Sequence, residues 1–493
     1  MRPLSIVFCV LVVLFSVHLA QARIIHVPAD SSTIQGGING AINGDTVLVS
    51  ESQYYEQINF LGKAILVTSD FMNDSNPLHI QNTIIDGDSS GSVISFATGE
   101  DSTSIVQGFT IQNGLAIWGG GIYCNQSSPS IHHCTIVNNI AEGGGGIYCS
   151  ESSPVIDSCS IGGNKARWYF IENGNDFTPG FPPKSGSPGA GCGGGILCVI
   201  SSHPTVSNCN IGGNYAFYSY VGGSGGGISC WNSSPEITNC IIEYNAIGAG
   251  LNLGGGISCW DCSSPIITDC IIQLNSGGFG GGIACDTSSP VINRCIVIHN
   301  YAGVDGGGIS CWRTTWPTIV NCTITRNTAE HGGAISCHDC GLVSNITNCI
   351  LWDNSPDEIY ASSGPPPVFG VTYSDIKGGW PGTGNLNCCP QFCNPIVDNY
   401  YLAESSCCVG AGQGGVDIGT LGIGCSGYIA GDANGDGQTD VGDVVYLINY
   451  LFKGGNAPNP TGSGDTNCDG KVDIGDVVYL INYLFKSGPP PTC

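Results

Sequence analysis

One phrase recurs eight times between Gly119 and Asn354, and it constrains the fold more than any other feature of the chain. Each copy begins with a glycine-rich run and an isoleucine, reaches a cysteine two residues later, passes a second cysteine and closes on an asparagine. The isoleucines are Ile122, Ile147, Ile196, Ile228, Ile257, Ile283, Ile309 and Ile335. The last three gaps between them are 26 residues each. A repeat of this length predicts a solenoid.

Short β-rich runs such as GGGISCW, PIITDC and CIIQLN make up each repeat, and none has the length or periodicity of a helix. They predict three short parallel strands per turn. Because side chains alternate along a strand, the Ile and the first Cys should point inward, and the residue between them should face water. The polar residue before the second Cys and the closing Asn suit bends. Stacked turns then give columns of Ile, Cys and Asn.

Residues 24–425 resemble a right-handed parallel β-helix of the pectate-lyase-like class, and the GGGI…IxxN phrase resembles the repeats of polymorphic outer-membrane proteins. The opening VPADSSTIQGGINGAINGDTVLVS is similar to the start of many secreted β-helix proteins. This resemblance implies a short amphipathic helix at about 33–43 that covers the first coil and blocks its open edge. The predicted fold class is therefore all-β.

The first 22 residues have the pattern of an export signal. Arg2 precedes an apolar run from Leu4 to Leu19, and Ala20-Gln21-Ala22 forms a cleavage site. We expect residues 1–22 to be a signal peptide. No later run is long enough for a membrane span, so the mature chain should be secreted, extracellular or at the cell surface.

The charge balance excludes several classes of partner. The net charge is −25, from 38 acidic and 13 basic residues, which disfavours nucleic acid and anionic membranes. The β-helix enzymes that this chain resembles hold acidic sugars with several Lys or Arg residues, and here the basic residues are scattered. A neutral polysaccharide is the better expectation.

The chain has 28 cysteines, and 22 of them fall into two groups. A cluster near the end of the solenoid predicts a disulfide or two, which export permits: Cys388, Cys389, Cys393, Cys407, Cys408 and Cys425. The 16 cysteines of the repeats either pair within a turn or serve as small inward apolar residues. We favour the second, because a disulfide needs Cα atoms within about 7 Å and converging side chains.

Two acidic loops near the C-terminus predict calcium sites. Each has oxygen ligands at positions 1, 3, 5, 9 and 12, a glycine at position 6 and a backbone carbonyl at position 7. The first set is Asp432, Asn434, Asp436, Gln438, Asp440 and Asp443. The second set is Asp465, Asn467, Asp469, Lys471, Asp473 and Asp476. We expect one Ca²⁺ in each.

Each loop runs into the same segment, GDVVYLINYLFK, with an apolar stripe at Val444, Leu447, Ile448, Leu451 and Phe452 in the first copy. A loop followed by a helix, present twice, resembles a type I dockerin over about 428–493. The resemblance implies a cohesin-like or other surface docking partner. Positions 10 and 11, often Ser-Thr in that family, are Val-Gly and Ile-Gly here. We predict domains at 1–22 (signal peptide), 23–427 (β-helix, with a Cys-rich closing segment at about 356–427) and 428–493 (dockerin-like).

The position three residues after each repeat isoleucine is a candidate glycan-binding column. It becomes aromatic and polar towards the C-terminal end, with Trp231, Trp260, Asp286, Trp312 and His338. Exposed rings stacked on adjacent turns suit sugar faces, and Asp286 suits hydroxyl groups. The alternative is a stack that only shields the corner of the coil.

Candidates for catalysis are fewer. Asp305 and His331 share one offset on adjacent repeats, with Glu330 beside them, and Asp286 lies in the aromatic column. Charges in solvated loops are the alternative. The insertion Lys165–Cys192 carries five aromatic residues and is either a binding loop or a spacer.

The sequence thus predicts a secreted β-helix protein that binds carbohydrate or a surface partner and is docked through a calcium-dependent dockerin-like module. The alternative is a dockerin-bearing polysaccharide lyase or glycoside hydrolase that acts on the flank of the β-helix. We favour binding over catalysis, because no acid/base pair with supporting cations stands out.

Overall fold

The computed structural model describes residues 22–167, 192–217, 224–248, 253–313, 315–338, 344–361, 369–425 and 428–491. Nearly all of the predicted signal peptide (1–21) and the aromatic part of the predicted binding loop (168–191) lie outside these ranges. The described chain up to residue 376 is a coil of short strands that pair in parallel with the equivalent strands of the turns before and after.

Each complete turn passes through up to four sheets in a fixed order, here called sheets I to IV. Sheet I contains the eight Ile-x-Cys strands and three strands in line with them: Ile58–Asn59, Ile94–Phe96, Ile122–Asn125, Ile147–Ser150, Ile196–Val199, Ile228–Trp231, Ile257–Trp260, Ile283–Asp286, Ile309–Trp312, Ile335–His338 and Ile359–Ala361. Sheet II contains Ile24–Val27, Thr46–Val49, Leu66–Ser69, Ile105–Gln107, Ser130–His132, Val155–Asp157, Thr205–Ser207, Glu236–Thr238, Ile266–Thr268, Val291–Asn293, Thr318–Val320, Ser344–Thr347 and Phe369–Thr372.

Sheet III contains Ser52–Tyr55, Thr83–Asp86, Thr110–Gln112, Thr135–Val137, Ser160–Gly162, Asn210–Gly212, Ile241–Glu243, Ile271–Gln273, Ile296–Ile298, Thr323–Thr325, Ile350–Trp352 and Asp375–Ile376. Sheet IV contains Leu115–Trp118, Ile140–Gly143, Lys165–Arg167, Tyr215–Phe217, Ala246–Ile247, Ser276–Phe279 and Tyr301–Asp305. The prediction of three strands per turn was therefore wrong. The segment between the closing Asn and the glycines varies in sequence, yet its backbone pairs with the turns on either side as sheet IV.

The predicted columns of Ile and Cys form the core. The strand register places Ile257 beside Ile283 and Cys259 beside Cys285, and all four side chains are almost completely buried. The predicted left-handed bends before the second Cys are present, for example at Asn239 with φ 53°. The core is thus a continuous file of apolar side chains, one layer per turn.

The closing asparagines do not form the bends that we predicted for them. Instead they are buried and form a ladder along the axis: Asn139, Asn164, Asn214, Asn245, Asn275, Asn300, Asn327 and Asn354. Asn245, for example, donates from Nδ2 to the carbonyl of Ile211 at 2.8 Å and to Oδ1 of Asn275 at 3.0 Å. The ladder begins at the amide of Gly114, which donates to Asn139, and ends at the carboxylate of Glu358, which accepts from Asn354.

The glycines before each repeat Ile allow the chain to pass close to the next turn. A Cβ on Gly255 would lie 2.6 Å from the carbonyl oxygen of Gly281, which no side chain tolerates. Gly254 has φ +70°, a conformation that glycine adopts without strain. The glycine run is therefore required by the close spacing of the turns.

A helix covers the first turns of the coil, and the segment that follows the last turn packs on the side of the coil. Helix Ile34–Gly40 lies over the first turns, with Ile34 and Ile38 buried, and short helices Phe71–Asp74 and Pro77–Asn82 follow. After the last turn a three-stranded sheet, Phe392–Asn394, Asn399–Ala403 and Ile423–Cys425, with a 3₁₀ turn, Pro395–Val397, packs on the outward-facing Ile298, Ile350 and Trp352 of sheet III. Disulfides Cys388–Cys407 and Cys393–Cys425 tie this closing segment, which confirms the prediction of one or two bridges there.

Most cysteines of the repeats behave as the favoured interpretation predicted, but Cys337 is disulfide-bonded. With Cys311 and Cys337 left aside, they form no disulfide and are buried. The thiols instead hydrogen-bond within the file: Cys159 donates to the carbonyl of Asp157 at 3.3 Å, and Cys209 Sγ accepts from the amide of Cys159 at 3.4 Å.

Two helices, Val441–Lys453 and Ile474–Lys486, follow the acidic loops, with a 3₁₀ turn, Thr461–Gly464, between them. Each begins with a capping box, formed by Asp440 with Asp443 and by Asp473 with Asp476. Val444 and Leu447 pack on Val477 and Leu480. Phe452, the last member of the predicted apolar stripe, is 64% exposed.

Candidate functional site

The outer surface of sheet I is covered rather than exposed. The residue between the repeat Ile and Cys, predicted to face water, is buried at Leu197, Ser258 and Ser336. Residues that precede the glycines fold over it, among them Leu253 and Phe279. Sequence reasoning missed this second apolar layer, because the covering residues lie on variable segments.

The five predicted glycan-binding residues form one file on this surface. Strand register pairs Trp231 with Trp260, Trp260 with Asp286, Asp286 with Trp312, and Trp312 with His338. The rings of Trp231 and Trp260 stack at 6.0 Å with an interplanar angle of 11°, and those of Trp312 and His338 stack at 4.8 Å with 26°. We refer to these five residues as the aromatic file.

The rings are half-buried, not exposed as predicted. Trp260 Nε1 donates to Ser224 Oγ at 2.7 Å and to Ser258 Oγ at 2.6 Å. Phe279 packs edge-on against Trp312 with centroids 4.8 Å apart. The file therefore presents ring faces and edges that are held in position.

Asp286 interrupts the file with a buried carboxylate. Only 3% of its side chain is exposed, whereas we expected it at the surface, and one oxygen is paired with the guanidinium of Arg313. Its other oxygen and Nε1 of Trp312 have no hydrogen-bond partner within the described residues. An acceptor and a donor on adjacent turns are thus left unsatisfied, each at a typical cost of about 1–3 kcal/mol.

Asp305 lies beside the end of the aromatic file and binds two histidines. His331 Nδ1 lies 2.9 Å from Oδ1, and His338 Nε2 lies 2.6 Å from Oδ2. The Asp305 side chain is only 4% exposed, so it is not the solvated loop charge that we considered, but the end of a strand of sheet IV. Glu330 is exposed on the neighbouring turn. We call Asp305, His331 and His338 the Asp-His-His cluster.

Tyr360 completes the surroundings of this cluster, and sequence reasoning missed it. Its ring stacks on His331 at 4.6 Å and lies 5.9 Å from His338. The strand Ile359–Ala361 continues sheet I beyond the last repeat, but it lacks the glycines and the cysteine that mark the others. The only signal was the isoleucine itself.

The carboxylate of Asp305 orients both imidazoles of the Asp-His-His cluster. Because carboxylate oxygens accept hydrogen bonds, each imidazole turns an N–H towards Asp305, and its other nitrogen points elsewhere. For His331, which is 44% exposed, that nitrogen is Nε2.

The acidic loops are folded around their predicted ligands. In the first loop the carboxylate of Asp432 accepts from the amides of Asp436 and Gly437, at 2.9 and 2.7 Å. In the second, Asp465 accepts from Asp469 and Gly470 at 3.1 and 2.9 Å. Each set of predicted ligands is therefore brought to one turn of chain.

The electrostatics of both loops fit a bound cation. Burial, followed by repulsion from neighbouring carboxylates, raises the pKa of Asp443 and raises that of Asp465 to about 7. Burial raises the pKa of Asp476 to about 6. Residues 428–493 contain eight Asp and three Lys, so the converging carboxylates are not neutralised by the domain itself. An all-oxygen set of this kind suits Ca²⁺.

Two protein families match parts of the chain. The right-handed β-helix region matches residues 190–368, and the dockerin type I domain matches residues 430–485. The chain is a right-handed β-helix with a C-terminal dockerin. Dockerin type I domains generally bind calcium and typically dock on cohesins. Among the described residues, no helix is both long and apolar enough to cross a membrane.

The chain is only distantly similar to solved structures. The A-module of the Azotobacter vinelandii mannuronan C-5 epimerase AlgE6 is 12% identical, with a TM-score of 0.40, over 73% of this chain and 95% of that one. Pectate lyase Pel9A is also 12% identical, with a TM-score of 0.36, over 82% and 96%. No curated protein matches the chain.

Proposed function

We propose that this β-helix protein is exported, that it binds a neutral polysaccharide along the aromatic file of sheet I, and that its dockerin fixes it to a partner when both loops hold Ca²⁺. The binding claim depends on the file itself. Parallel rings at Trp231 and Trp260 lead directly to an unsatisfied acceptor on Asp286 and an unsatisfied donor on Trp312.

Sugars suit such a surface for a physical reason. The C–H face of a pyranose packs on an aromatic ring, and its hydroxyls both donate and accept hydrogen bonds. The only cation in contact with the file among the described residues is Arg313, and Asp286 already pairs with it. A neutral chain fits this surface better than an acidic one.

Replacing one ring tests the binding proposal. Trp260→Ala should weaken binding to whichever neutral polysaccharide the wild type retains by about tenfold, which is about 1.4 kcal/mol. Trp316→Ala is the matched control, because Trp316 is 50% exposed but lies off the file. Affinity electrophoresis across a panel of neutral polysaccharides gives the measurement. Equal retardation of wild type and Trp260→Ala, with the same melting temperature, would reject the file as the binding site.

The dockerin offers apolar side chains for docking. Val441, Val445 and Phe452 are exposed on the first helix, and Ile474, Val478 and Phe485 repeat them on the second. We propose a cohesin-like or other surface docking partner that covers one of these patches. A pull-down with the full chain as bait, with Ca²⁺ and with a chelator, should recover the partner only with Ca²⁺. Recovery that is equal in both conditions would contradict calcium-dependent docking.

A second candidate function is polysaccharide cleavage as a lyase or glycoside hydrolase. The observation that favours it is the Asp-His-His cluster at the end of the file, with His331 Nε2 available as a base. Glu330 and Asp286 are the remaining carboxylates considered for such a role.

Cleavage has its own test. His331→Gln should lower the rate of product formation by about 100-fold or more, with little effect on polysaccharide retention. Reducing ends and the ultraviolet absorbance of unsaturated products distinguish hydrolysis from elimination. If the wild type binds a polysaccharide but releases no product of either kind, the protein is a binding protein.

A further inference from the structure

The two calcium loops share one pattern of predicted ligands but lie in different surroundings. Gly437, at position 6 of the first loop, is exposed, whereas Gly470 at the same position of the second is buried. A Cβ on Gly470 would lie 2.7 Å from the guanidinium of Arg326, which belongs to the solenoid. The solenoid therefore contacts one half of the dockerin and breaks its internal symmetry.

Arg326 links three parts of the molecule. It follows a strand of sheet III, donates from Nη1 to the carbonyl of Pro395 in the closing segment at 2.7 Å, and donates from Nη2 to the carbonyl of Gly470 at 2.7 Å. From sequence alone it belonged to a scatter of basic residues with no assigned role.

Lys377 reaches the same turn from the last coil. Its Nζ lies 3.5 Å from the carbonyl of Cys468, which is position 4 of the loop, and is also bonded to the carboxylate of Asp353. The ammonium lies 5.7 Å from the centre of the Trp352 ring. Two of the chain's 13 basic residues thus converge on one loop of the dockerin.

The positions that these cations contact are the ones that calcium does not use. The predicted ligands are at odd positions 3, 5 and 7, namely Asn467, Asp469 and the carbonyl of Lys471. Arg326 and Lys377 bind the carbonyls at positions 6 and 4. The same short turn is therefore held from outside by the solenoid while its inner side is available to Ca²⁺.

We propose that the second calcium loop is a clasp that fixes the dockerin to its own solenoid when Ca²⁺ is bound, while the first loop stays free of the solenoid. This rests on the proposed binding of Ca²⁺ in both loops. A turn ordered by calcium presents its outer carbonyls to Arg326 and Lys377 in a fixed geometry. By linkage, those two residues strengthen calcium binding to the second loop by the same factor.

Small-angle X-ray scattering of the full chain tests the clasp. With Ca²⁺ the radius of gyration should be small, and a chelator should increase it. Arg326→Gln should increase it even with Ca²⁺ present, whereas Arg294→Gln, which removes a cation paired with Asp269 elsewhere on the solenoid, should not. No change with either the chelator or Arg326→Gln would overturn the proposal.

The two equivalent loops of the dockerin allow a second test of the clasp. Asp465→Ala should open the molecule, and Asp432→Ala, the equivalent change in the first loop, should leave it closed. Calorimetric titration with Ca²⁺ should show that Arg326→Gln weakens one of two sites about fivefold or more. If no site binds Ca²⁺, the calcium proposal itself fails. If both bind and the radius of gyration does not respond, only the clasp is wrong.

Discussion

At the scale of single residues, the interior depends on amides as much as on apolar side chains. Each inner asparagine side chain donates a hydrogen bond to the asparagine of one neighbouring turn and accepts one from the asparagine of the other. The sequence indicated a column of asparagines but not whether their side chains point into the core, because a bend and a buried ladder both favour Asn. Whether Asn forms a bend or a ladder depends on whether its side chain is buried, and that is visible only once the turns are packed.

Replacing one rung of the ladder should be costly. Asn245→Ala would leave the Ile211 carbonyl and the Asn214 side-chain amide without their partners, at a cost of about 3 kcal/mol in the free energy of unfolding. Denaturant titration measures it. Asn210→Ala, at an exposed strand position, is the control and should change the same quantity by less than about 0.5 kcal/mol. Similar losses in both variants would contradict the role of the ladder.

Glu358, the residue that ends the ladder, should make stability depend on pH. Burial raises its pKa from 4.5 to about 7. The folded state then holds the proton more tightly than the unfolded state, so stability is highest below pH 4.5 and falls as the pH rises towards 7. The loss from this group is at most about 3 kcal/mol. Glu358→Gln should flatten that part of the pH profile, measured by denaturant unfolding at several pH values, and an unchanged profile would contradict it.

At the scale of elements, the strands that carry the repeat were predictable and those between them were not. Ile257 and Cys259 mark sheet I because their neighbours on every turn are the same residues. Sheet IV carries a weaker signal: a small buried Ala recurs at Ala166, Ala216 and Ala302, but the residues around it differ from strand to strand. Their strand conformation is imposed by the turns on either side. Asp305 was therefore assigned to a loop, although it ends a strand.

The buried cysteines of the repeats should not react with alkylating reagents in the folded protein. Burial raises the pKa of Cys322, and its neighbours in the file are equally inaccessible. Iodoacetamide should label the exposed Cys262 of the native chain and reach Cys240 or Cys322 only after denaturation. Peptide mass spectrometry reports each site separately. If Cys240 of the native protein were labelled as fast as Cys262, the buried cysteines would be accessible to the reagent, which would contradict this prediction.

At the scale of the whole molecule, the solenoid and the dockerin are stabilised in different ways. The solenoid is a sum of contacts between adjacent turns, whereas the dockerin has a small core and an excess of carboxylates. The sequence predicted both parts, because each carries a repeated motif. It gave no sign of how they touch, since Arg326 and Lys377 belong to no motif.

Calcium removal should separate the thermal unfolding of the dockerin from that of the solenoid. In differential scanning calorimetry of the full chain, a chelator should lower the melting temperature of the dockerin transition and leave that of the solenoid nearly unchanged. Saturation at 100 times the dissociation constant stabilises a site by about 2.7 kcal/mol. Circular dichroism follows the loss of the two helices. A dockerin transition that is insensitive to the chelator would contradict the assignment of both loops.

The asparagine ladder has a consequence for the length of this molecule. Every inner rung gives and receives the same bonds, and only the amide of Gly114 and the carboxylate of Glu358 close the series. Deleting or duplicating one entire period therefore leaves no amide stranded. The coil can therefore be lengthened or shortened by whole turns, and the hydrogen bonding of its interior stays the same at either length.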